Sequence, residues 1–277
     1  MVLKIYLCAF LKEEYLEEAK ICIQSIRTIG EFRGPIYLFT DMLENIEGVN
    51  VIKVSCESVP LSASYRTRLF EHITDFSNDD IVLYLDTDII VMKKLPDFTN
   101  INNKIHVYGY PTRNQSELSF AGGIEQDINY KKIPGICSGI LLFRPSQKVK
   151  QVFEEAYELY LELLSQNKVY EMWEQPALCL KLIENDMCEI SLNNLVCEER
   201  DNPSRNNPAI FNHLCGMRSN ERKDITKEIL NQKIIENKKK NSYSMVHKEP
   251  LIAAEYCPLK TPFIKKLGLN KIIFSNK

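Results

Sequence analysis

One apolar segment that carries two carboxylates constrains the fold of this chain more than any other stretch. Residues 81–91 have the sequence Ile-Val-Leu-Tyr-Leu-Asp-Thr-Asp-Ile-Ile-Val. A run so rich in branched and aromatic side chains is typical of a strand that is buried on both faces of a sheet. Burying an ionised carboxylate without a partner costs on the order of several kcal/mol. Asp86 and Asp88 should therefore lie at the strand's exposed carboxyl end, where open α/β sheets bind ligands.

The spacing of these two carboxylates suggests a ligand. Asp86 and Asp88 offer hard oxygen atoms one residue apart, which suits a divalent cation that carries a phosphate. The alternative is an acidic turn that ends the strand and caps a helix. The segment alone leaves both interpretations open.

The rest of the chain predicts an α/β fold. Strands that alternate with helices indicate a mostly parallel sheet with helices on both faces. The predicted strands are 3–10, 35–41, 49–54, 81–91, 104–110, 139–143 and 209–213. The predicted helices are 13–29, 64–76, 147–164, 173–183 and 226–240, and polar loops are expected at 111–132 and 193–208. We expect one domain over residues 1–217 and a basic extension over 218–277, packed on it or trailing from it.

Composition excludes several classes of protein. The chain has 277 residues, of which 44% are hydrophobic and 26% charged, as in an ordinary soluble domain. No apolar stretch approaches the roughly 20 residues that span a bilayer, and no signal-cleavage pattern follows the start, so we expect a cytoplasmic protein. The nine cysteines never lie closer than nine positions apart, which argues against a CxxC metal site or a disulfide scaffold.

Charge is distributed unevenly along the chain. Residues 218–277 hold 14 Lys/Arg against 6 Asp/Glu, a net charge of +8. Residues 1–217 therefore have a net charge of −10, and the two parts sum to the net charge of −2 for the chain. Such a tail would attract phosphates or make a peripheral contact with an anionic membrane, and a solvated lysine-rich helix is the alternative. No basic stripe with interleaved aromatic residues points to a nucleic-acid partner. A homodimer is left open by the sequence.

The order of motifs resembles that of the GT-A nucleotide-sugar glycosyltransferases, most closely glycosyltransferase family 8, which includes glycogenin and bacterial lipooligosaccharide galactosyltransferases. The resemblance runs from about residue 3 to 219. Residues 83–91 resemble the family's Tyr-Leu-Asp-x-Asp signature. Residues 137–142 resemble its Asn-Ser-Gly strand, with Cys137 in place of asparagine. Glu174-Gln175-x-x-Leu178 resembles its Asp-Gln-x-x-Leu motif.

Two further segments resemble the family less closely. Residues 63–69 resemble the helix with a donor-binding arginine, for which Arg68 is the better match and Arg66 the second candidate. His213-Leu-Cys-Gly216 resembles the family's His-x-x-Gly, but the Lys-Pro-Trp that normally follows is missing. Arg218 would replace that lysine through its guanidinium. His247 is a second candidate for the metal-binding histidine.

The resemblance implies a GT-A fold, with a Rossmann-like, mostly parallel central sheet flanked by helices and a small C-terminal helical extension. It implies a metal-dependent, retaining enzyme that transfers glucose or galactose from a UDP-sugar to an unidentified glycan, protein or lipid. Asp86, Asp88 and His213 would hold Mn²⁺, with Mg²⁺ as the alternative.

The resemblance also assigns roles to individual residues. Those implied to bind the donor are Ala9, Phe10, Tyr15, Arg68, Asp86, Thr87, Asp88, Ser138, Gly216 and Arg218. The implied catalytic residues are Gln175, near the anomeric carbon, Glu174, which would hold sugar hydroxyls, and Asp86. Because glutamine is a poor nucleophile, front-side transfer is favoured over a double displacement.

Two other functions are compatible with parts of the sequence. A haloacid-dehalogenase-type phosphatase also has Asp-x-Asp after an apolar strand, but it needs that strand near the start of the domain. That class also needs a Ser/Thr, a Lys and a second acidic pair at later strand ends. Here three strands come first, and the only Asp-Asp pair, Asp79-Asp80, lies upstream. A non-catalytic sugar-nucleotide or glycan-binding domain with the same fold is the other alternative, since Cys137 and Ser219 replace family residues.

Overall fold

The computed structural model of the chain describes residues 1–169, 173–198, 209–215 and 222–236. The strands are β1 (Leu3–Ala9), β2 (Ile36–Thr40), β3 (Asn50–Lys53), β4 (Ile81–Leu85), β5 (Ile89–Val91), β6 (Ile105–Asn114), β7 (Pro134–Phe143), β8 (Cys188–Ile190), β9 (Val196–Glu198) and β10 (Phe211–His213). The helices are α1 (Glu13–Thr28), α2 (Val59–Ser64), α3 (Leu69–His72), α4 (Gln147–Ser165), α5 (Gln175–Glu184) and α6 (222–236).

A seven-stranded sheet forms the centre of the fold, in the order β3-β2-β1-β4-β7-β6-β8. Its neighbouring strands are parallel except where β7 runs antiparallel to both β4 and β6. The predicted α/β architecture with a mostly parallel sheet is confirmed. Because β1 and β4 are parallel neighbours, the loops that follow them, around residues 10 and 86, meet at the same edge of the sheet.

The acid-bearing segment is two strands rather than the single strand that was predicted. β4 ends at Leu85 in the central sheet, and β5 starts at Ile89 in a separate three-stranded sheet of order β5-β10-β9. Both strands are buried along their whole length, whereas residues 86–88 are partly exposed. The chain leaves the central sheet after Leu85, so that the carboxylates of Asp86 and Asp88 are not buried between the apolar layers that cover the sheet.

The smaller sheet brings a distant histidine to the acids. β10 pairs antiparallel with β5, so that His213 lies opposite Ile89. The backbone N–H of Leu214 donates to the carbonyl of Asp88 at 3.0 Å. The pairing therefore fixes His213 beside the Asp86–Asp88 turn.

Several predicted boundaries differ from the structure for local reasons. The predicted helix 64–76 is instead α2, a 3₁₀ turn at Tyr65–Thr67 and α3. The hydroxyl of Ser58 caps α2 by accepting from Leu61, and Pro60 lies in its first turn, where proline is tolerated. The predicted loop 111–132 contains the end of β6, which pairs with a longer β7 than expected.

The chain divides into two compact units, Met1–Lys233 and Ile234–Lys277. In the first, α6 packs Ile225 and Ile229 against Ile90, Met92 and Leu214. Of the second, the structure describes residues 234–236. Most of the basic tail and His247 thus lie outside the described residues. Among the described helices, none has the length and apolar character that crossing a bilayer requires.

A buried ion pair fixes the start of the acid-bearing strand. The Asp80 carboxylate accepts from the N–H groups of Val2 (3.1 Å) and Ser77 (3.0 Å) and lies 3.2 Å from Lys4 Nζ. Burial opposes its ionisation, but these hydrogen bonds and Lys4 outweigh burial and lower the pKa of Asp80 below its ordinary value. This stabilisation is present above the unfolded carboxyl pKa and is lost as pH falls through the lowered one.

We expect Asp80→Asn to reduce the free energy of unfolding at pH 7 by about 2 kcal/mol, the scale of a hydrogen-bonded charge. The variant should also lose part of the decline in stability that the wild type shows below about pH 4. Urea titrations at several pH values measure both effects. Asp75→Asn is the matched control, because the Asp75 side chain also faces Lys4, at 3.4 Å, but is 68% exposed. Equal losses in the two variants would contradict the prediction.

Candidate active site

Two carboxylates and one imidazole converge in the turn between β4 and β5. Asp86, Asp88 and His213 each offer one ligand atom, and the three atoms lie within 4.8 Å of one another. His213 Nε2 is 3.3 Å from Asp88 Oδ1. Asp88 Oδ1 is buried, and apart from this contact with His213 it has no hydrogen-bond partner among the described residues. A buried oxygen without such a partner, in a set of two carboxylates and an imidazole, fits a divalent cation.

A glycine on the neighbouring strand makes room for this cluster. The backbone N–H of Asp86 donates to the Gly139 carbonyl at 2.8 Å, which places β7 directly against the acids. A Cβ atom at Gly139 would lie 2.7 Å from Asp86 Oδ2 and 3.0 Å from His213 Cε1. The site therefore needs a residue without a side chain at this position.

The charges in the cluster compensate one another. Burial alone would raise the pKa of Asp88, but His213 and Arg222 outweigh it and lower that pKa. Burial alone would lower the pKa of His213, but Asp88 raises it well above the ordinary value. A metal ion at this position would compete with protons for the imidazole, because a metal-binding histidine has to offer an unprotonated nitrogen.

Arg66 connects the acids to the start of α5. Its Nη2 lies 3.5 Å from Asp86 Oδ1, its Nε lies 2.9 Å from Glu174 Oε1, and its Nη1 donates to Ser138 Oγ at 2.6 Å. Burial raises the pKa of Glu174 to about 7, although Arg66 opposes the shift. Tyr84 donates its hydroxyl to Asp86 Oδ1. Of the two arginines proposed from the sequence, Arg66, the second candidate, is thus the one that contacts the acid cluster.

Arg68, the arginine preferred from the sequence, has different partners. Its Nη2 lies 2.6 Å from Glu71 Oε2, and its guanidinium lies over the rings of Tyr65 and Tyr157 at 4.5 and 4.8 Å. Because residues 65–67 form a 3₁₀ turn, the side chains of Arg66 and Arg68 point in different directions. The regular helix predicted for these residues did not indicate which of the two would reach the acids.

Gln175 is held by hydrogen bonds at both ends of its amide. Its Oε1 accepts from the Ser138 N–H at 3.0 Å and from the Ser138 hydroxyl at 3.1 Å. Its Nε2 donates to the Ser119 carbonyl at 3.0 Å. This buried side chain ties α5 to β7 and positions Ser138 for its contact with Arg66.

An open pocket of about 330 Å³ borders the acids. Predicted donor-binding residues contribute to its wall, together with the sole tryptophan of the chain, Trp173. The lining residues are Cys8, Phe10, Tyr15, Val59, Ser62, Ala63, Arg66, Tyr84, Asp86, Thr87, Asp88, Trp173 and Arg222. Ala9 is buried behind this wall at the end of β1. Gly216 and Arg218 lie outside the described residues.

The sequence did not single out two charged residues that belong to the site. Arg222 Nε and Nη2 donate to the two oxygens of Glu18 at 2.9 and 2.8 Å, and Arg222 Nη1 donates to Asp88 Oδ2 at 3.2 Å. Glu18 lies on α1 and is 1% exposed. One signal was available: a glutamate between the core-facing Leu16 and Ala19 of a helix needs a charged partner. Nothing in the sequence identifies that partner.

Cys137 replaces the asparagine of the family motif and faces the histidine. Its Sγ lies 3.7 Å from His213 Nδ1. The thiol contacts the side of the imidazole opposite Nε2, and Nε2 lies on the side of Asp88.

Comparisons with known proteins bear on the family and the fold. The model of glycosyl transferase family 8 matches residues 65–196, which contain Arg66, the acid pair and Glu174-Gln175. A crystal structure of galactosyltransferase LgtC in complex with donor and acceptor sugar analogs shares the fold. Its TM-score is 0.57 at 14% sequence identity, over 83% of this chain and 95% of that one. No curated protein sequence matches the chain significantly. The family match and the fold support a glycosyltransferase.

We expect Gly139→Ala to weaken Mn²⁺ binding at least about tenfold, as do other changes next to metal ligands. The cost in stability should be small, because the added methyl meets the movable end of the Asp86 side chain. Gly135→Ala on the same strand is the matched control, since its methyl would meet the buried Phe120 ring at 2.5 Å. That variant should lose more stability and keep its metal affinity. Calorimetric Mn²⁺ titrations and thermal unfolding separate the two patterns, and equal metal affinities in both variants would contradict the prediction.

Proposed function

Because this chain is a glycosyltransferase with a family 8 region on a GT-A fold, we propose that it transfers a hexose from a UDP-sugar in a metal-dependent reaction that retains anomeric configuration. The observation that carries the proposal is the convergence of Asp86, Asp88 and His213 at a pocket also lined by Tyr15 and Arg66. The family implies a nucleotide-sugar donor. The identity of the nucleotide as UDP, the hexose, the metal dependence and the retention of configuration are parts of the proposal.

Asp86, Asp88 and His213 would hold the metal ion. Two carboxylates and an imidazole suit Mn²⁺ better than Ca²⁺, and Mg²⁺ is the alternative. The ion would act as a Lewis acid on the diphosphate leaving group and would stabilise its growing negative charge.

The pocket would supply the donor contacts around the acids. Tyr15 would stack on the nucleobase, with the backbone at Ala9 and Phe10 beside it. Thr87, between the two acids, and Ser138, which accepts a hydrogen bond from Arg66, are the other proposed donor contacts. Arg66 takes the part first assigned to Arg68, since its guanidinium lies between Asp86 and Glu174. Gly216 and Arg218 are retained as proposed donor contacts on the family resemblance alone.

The residues around the reacting sugar favour front-side transfer. Glu174 is paired with Arg66, and both ends of the Gln175 amide are hydrogen-bonded within the protein. Neither residue is a free nucleophile. The bond between the anomeric carbon and the diphosphate would break while the acceptor oxygen bonds to the same face. The acceptor proton would pass to an oxygen of the departing diphosphate.

The donor can be identified by one calorimetric screen of UDP, UDP-glucose, UDP-galactose and GDP-mannose, each with and without Mn²⁺. We expect the uridine ligands to bind in the presence of Mn²⁺ and GDP-mannose to bind weakly. No binding of any ligand would overturn the proposal. Binding without UDP release, in water or with any glycan, protein or lipid acceptor, would instead favour a non-catalytic sugar-nucleotide-binding domain.

Asp88→Asn should abolish Mn²⁺-dependent UDP binding and leave the fold intact, because it removes one anionic ligand from a turn outside both sheets. Quenching of Trp173 fluorescence by UDP measures binding, since this residue lines the same pocket. Far-UV circular dichroism checks the fold. Wild-type affinity in the variant would show that Asp88 is not a ligand.

A matched pair of histidine variants tests the third ligand. His213→Ala should weaken metal-dependent UDP binding, because His213 Nε2 directly faces Asp88. His247→Ala should not, and it serves as the control. The reverse pattern would move the metal ligand into the C-terminal tail.

With UDP-hexose, Mn²⁺ and the true acceptor, the product should keep the α configuration of the donor. Neither Glu174 nor Gln175 is placed as the strong base that an inverting enzyme requires. Without acceptor, UDP should be released slowly by hydrolysis. The anomeric proton coupling in the NMR spectrum of the product decides the configuration, and a β-linked product would exclude the retaining mechanism.

A further inference from the structure

A protein cation occupies part of the position where a metal ion would act on Asp88. Arg222 Nη1 lies 3.2 Å from Asp88 Oδ2, and His213 Nε2 lies 3.3 Å from Asp88 Oδ1. One oxygen of this carboxylate thus faces a guanidinium, and the other faces the imidazole of the proposed metal ligand His213. The proposed metal ligand is therefore already compensated before any metal binds.

Glu18 determines where the Arg222 guanidinium lies. The two side chains form a fork with two parallel hydrogen bonds of 2.9 and 2.8 Å, and both are largely buried. Such bidentate pairs fix direction as well as distance. At the other end, α6 is packed on β5 and Leu214 through Ile225 and Ile229. Arg222 is therefore anchored from both sides and does not reach Asp88 by chance.

The effect of the Arg222 charge on binding depends on which ligand arrives. A divalent cation beside Asp88 would repel the guanidinium at a distance of a few ångströms. A diphosphate that arrives with the cation brings negative charge to which the free Nη1 can donate, in a bond of the charge-assisted kind. Arg222 therefore opposes the metal alone and favours the metal together with a diphosphate. It also lines the pocket with Tyr15, Asp86 and Thr87, on the path that such a ligand would occupy.

We propose that Arg222 is an exchangeable counter-ion of the donor site. It neutralises Asp88 in the empty protein and turns to the diphosphate of the donor once metal and nucleotide bind together, while Glu18 anchors it in both states. This inference rests on the proposed function for the identity of the ligand. It predicts that metal and nucleoside diphosphate bind with positive coupling, and that Arg222 supplies much of that coupling.

The test compares two affinities in the wild type and in Arg222→Met. Calorimetry gives the affinity for Mn²⁺ alone and the affinity for UDP at saturating Mn²⁺. We expect Arg222→Met to bind Mn²⁺ alone at least about fivefold more tightly and UDP at least about fivefold more weakly, on the usual scale of coupling between sites. Lys227→Met, at an exposed position of the same helix, is the control for loss of one positive charge and should change neither value.

Two further variants separate this role from a structural one. Arg222→Lys keeps a positive charge without the fork, so its Mn²⁺ affinity should stay near that of the wild type while its UDP affinity falls. Glu18→Gln removes the anionic anchor and should weaken UDP binding without strengthening Mn²⁺ binding. Thermal unfolding of each variant shows whether it is folded, and Arg222→Lys carries the test if Arg222→Met is not.

The outcomes distinguish the inference from the function on which it rests. If the wild type binds UDP with Mn²⁺ and Arg222→Met matches it, or shifts both affinities in the same direction, the inference is wrong and the proposed function stands. If neither protein binds Mn²⁺ or UDP, both are wrong. Opposite shifts of the two affinities support the inference.

Discussion

The carboxylates of Asp86 and Asp88 lie between two buried strands, and the cost of desolvating them shapes the surrounding structure. β4 and β5 are buried from end to end, yet they belong to different sheets, and the turn between them reaches the surface. A continuous strand would have placed at least one acid between apolar layers. The second sheet takes up β5 and returns β10 beside it, which supplies an imidazole to the same turn. The geometry of the site thus follows from where charge has to leave the core.

Charge compensation organises the rest of the site into two networks that share the turn. On one side Arg66 joins Asp86, Glu174 and Ser138. On the other, Arg222 joins Asp88 to Glu18. Each network places one arginine on one acid and fixes it with a buried glutamate. Such an arrangement holds the two carboxylates in position for a cation, because each arginine is itself fixed by a second ion pair.

The parts of the structure that follow from local pattern were predictable. Strand and helix alternation predicted the parallel sheet, and the apolar frame of the acids placed them at the carboxyl end of β4. β8 and β9 were missed because three residues are too few to show an alternating pattern. The choice between Arg66 and Arg68 depended on a 3₁₀ turn that a helical pattern cannot reveal. The pairing of Glu18 with Arg222 spans 204 positions, and no periodicity in the sequence links two such residues.

The distance along the chain between the acids and their partners has a consequence for biosynthesis. Asp88 and Arg222 are 134 positions apart, and the strand with His213 also comes late in the chain. Chains are made from the N-terminus, and the earlier parts fold first. The nascent protein therefore exposes its carboxylates to solvent and to cellular cations before the imidazole and the guanidinium emerge from the ribosome. The cluster is complete only after residue 222 has been synthesised, so a chain that terminates before residue 213 holds the Asp-x-Asp pair without the imidazole and the guanidinium that contact it.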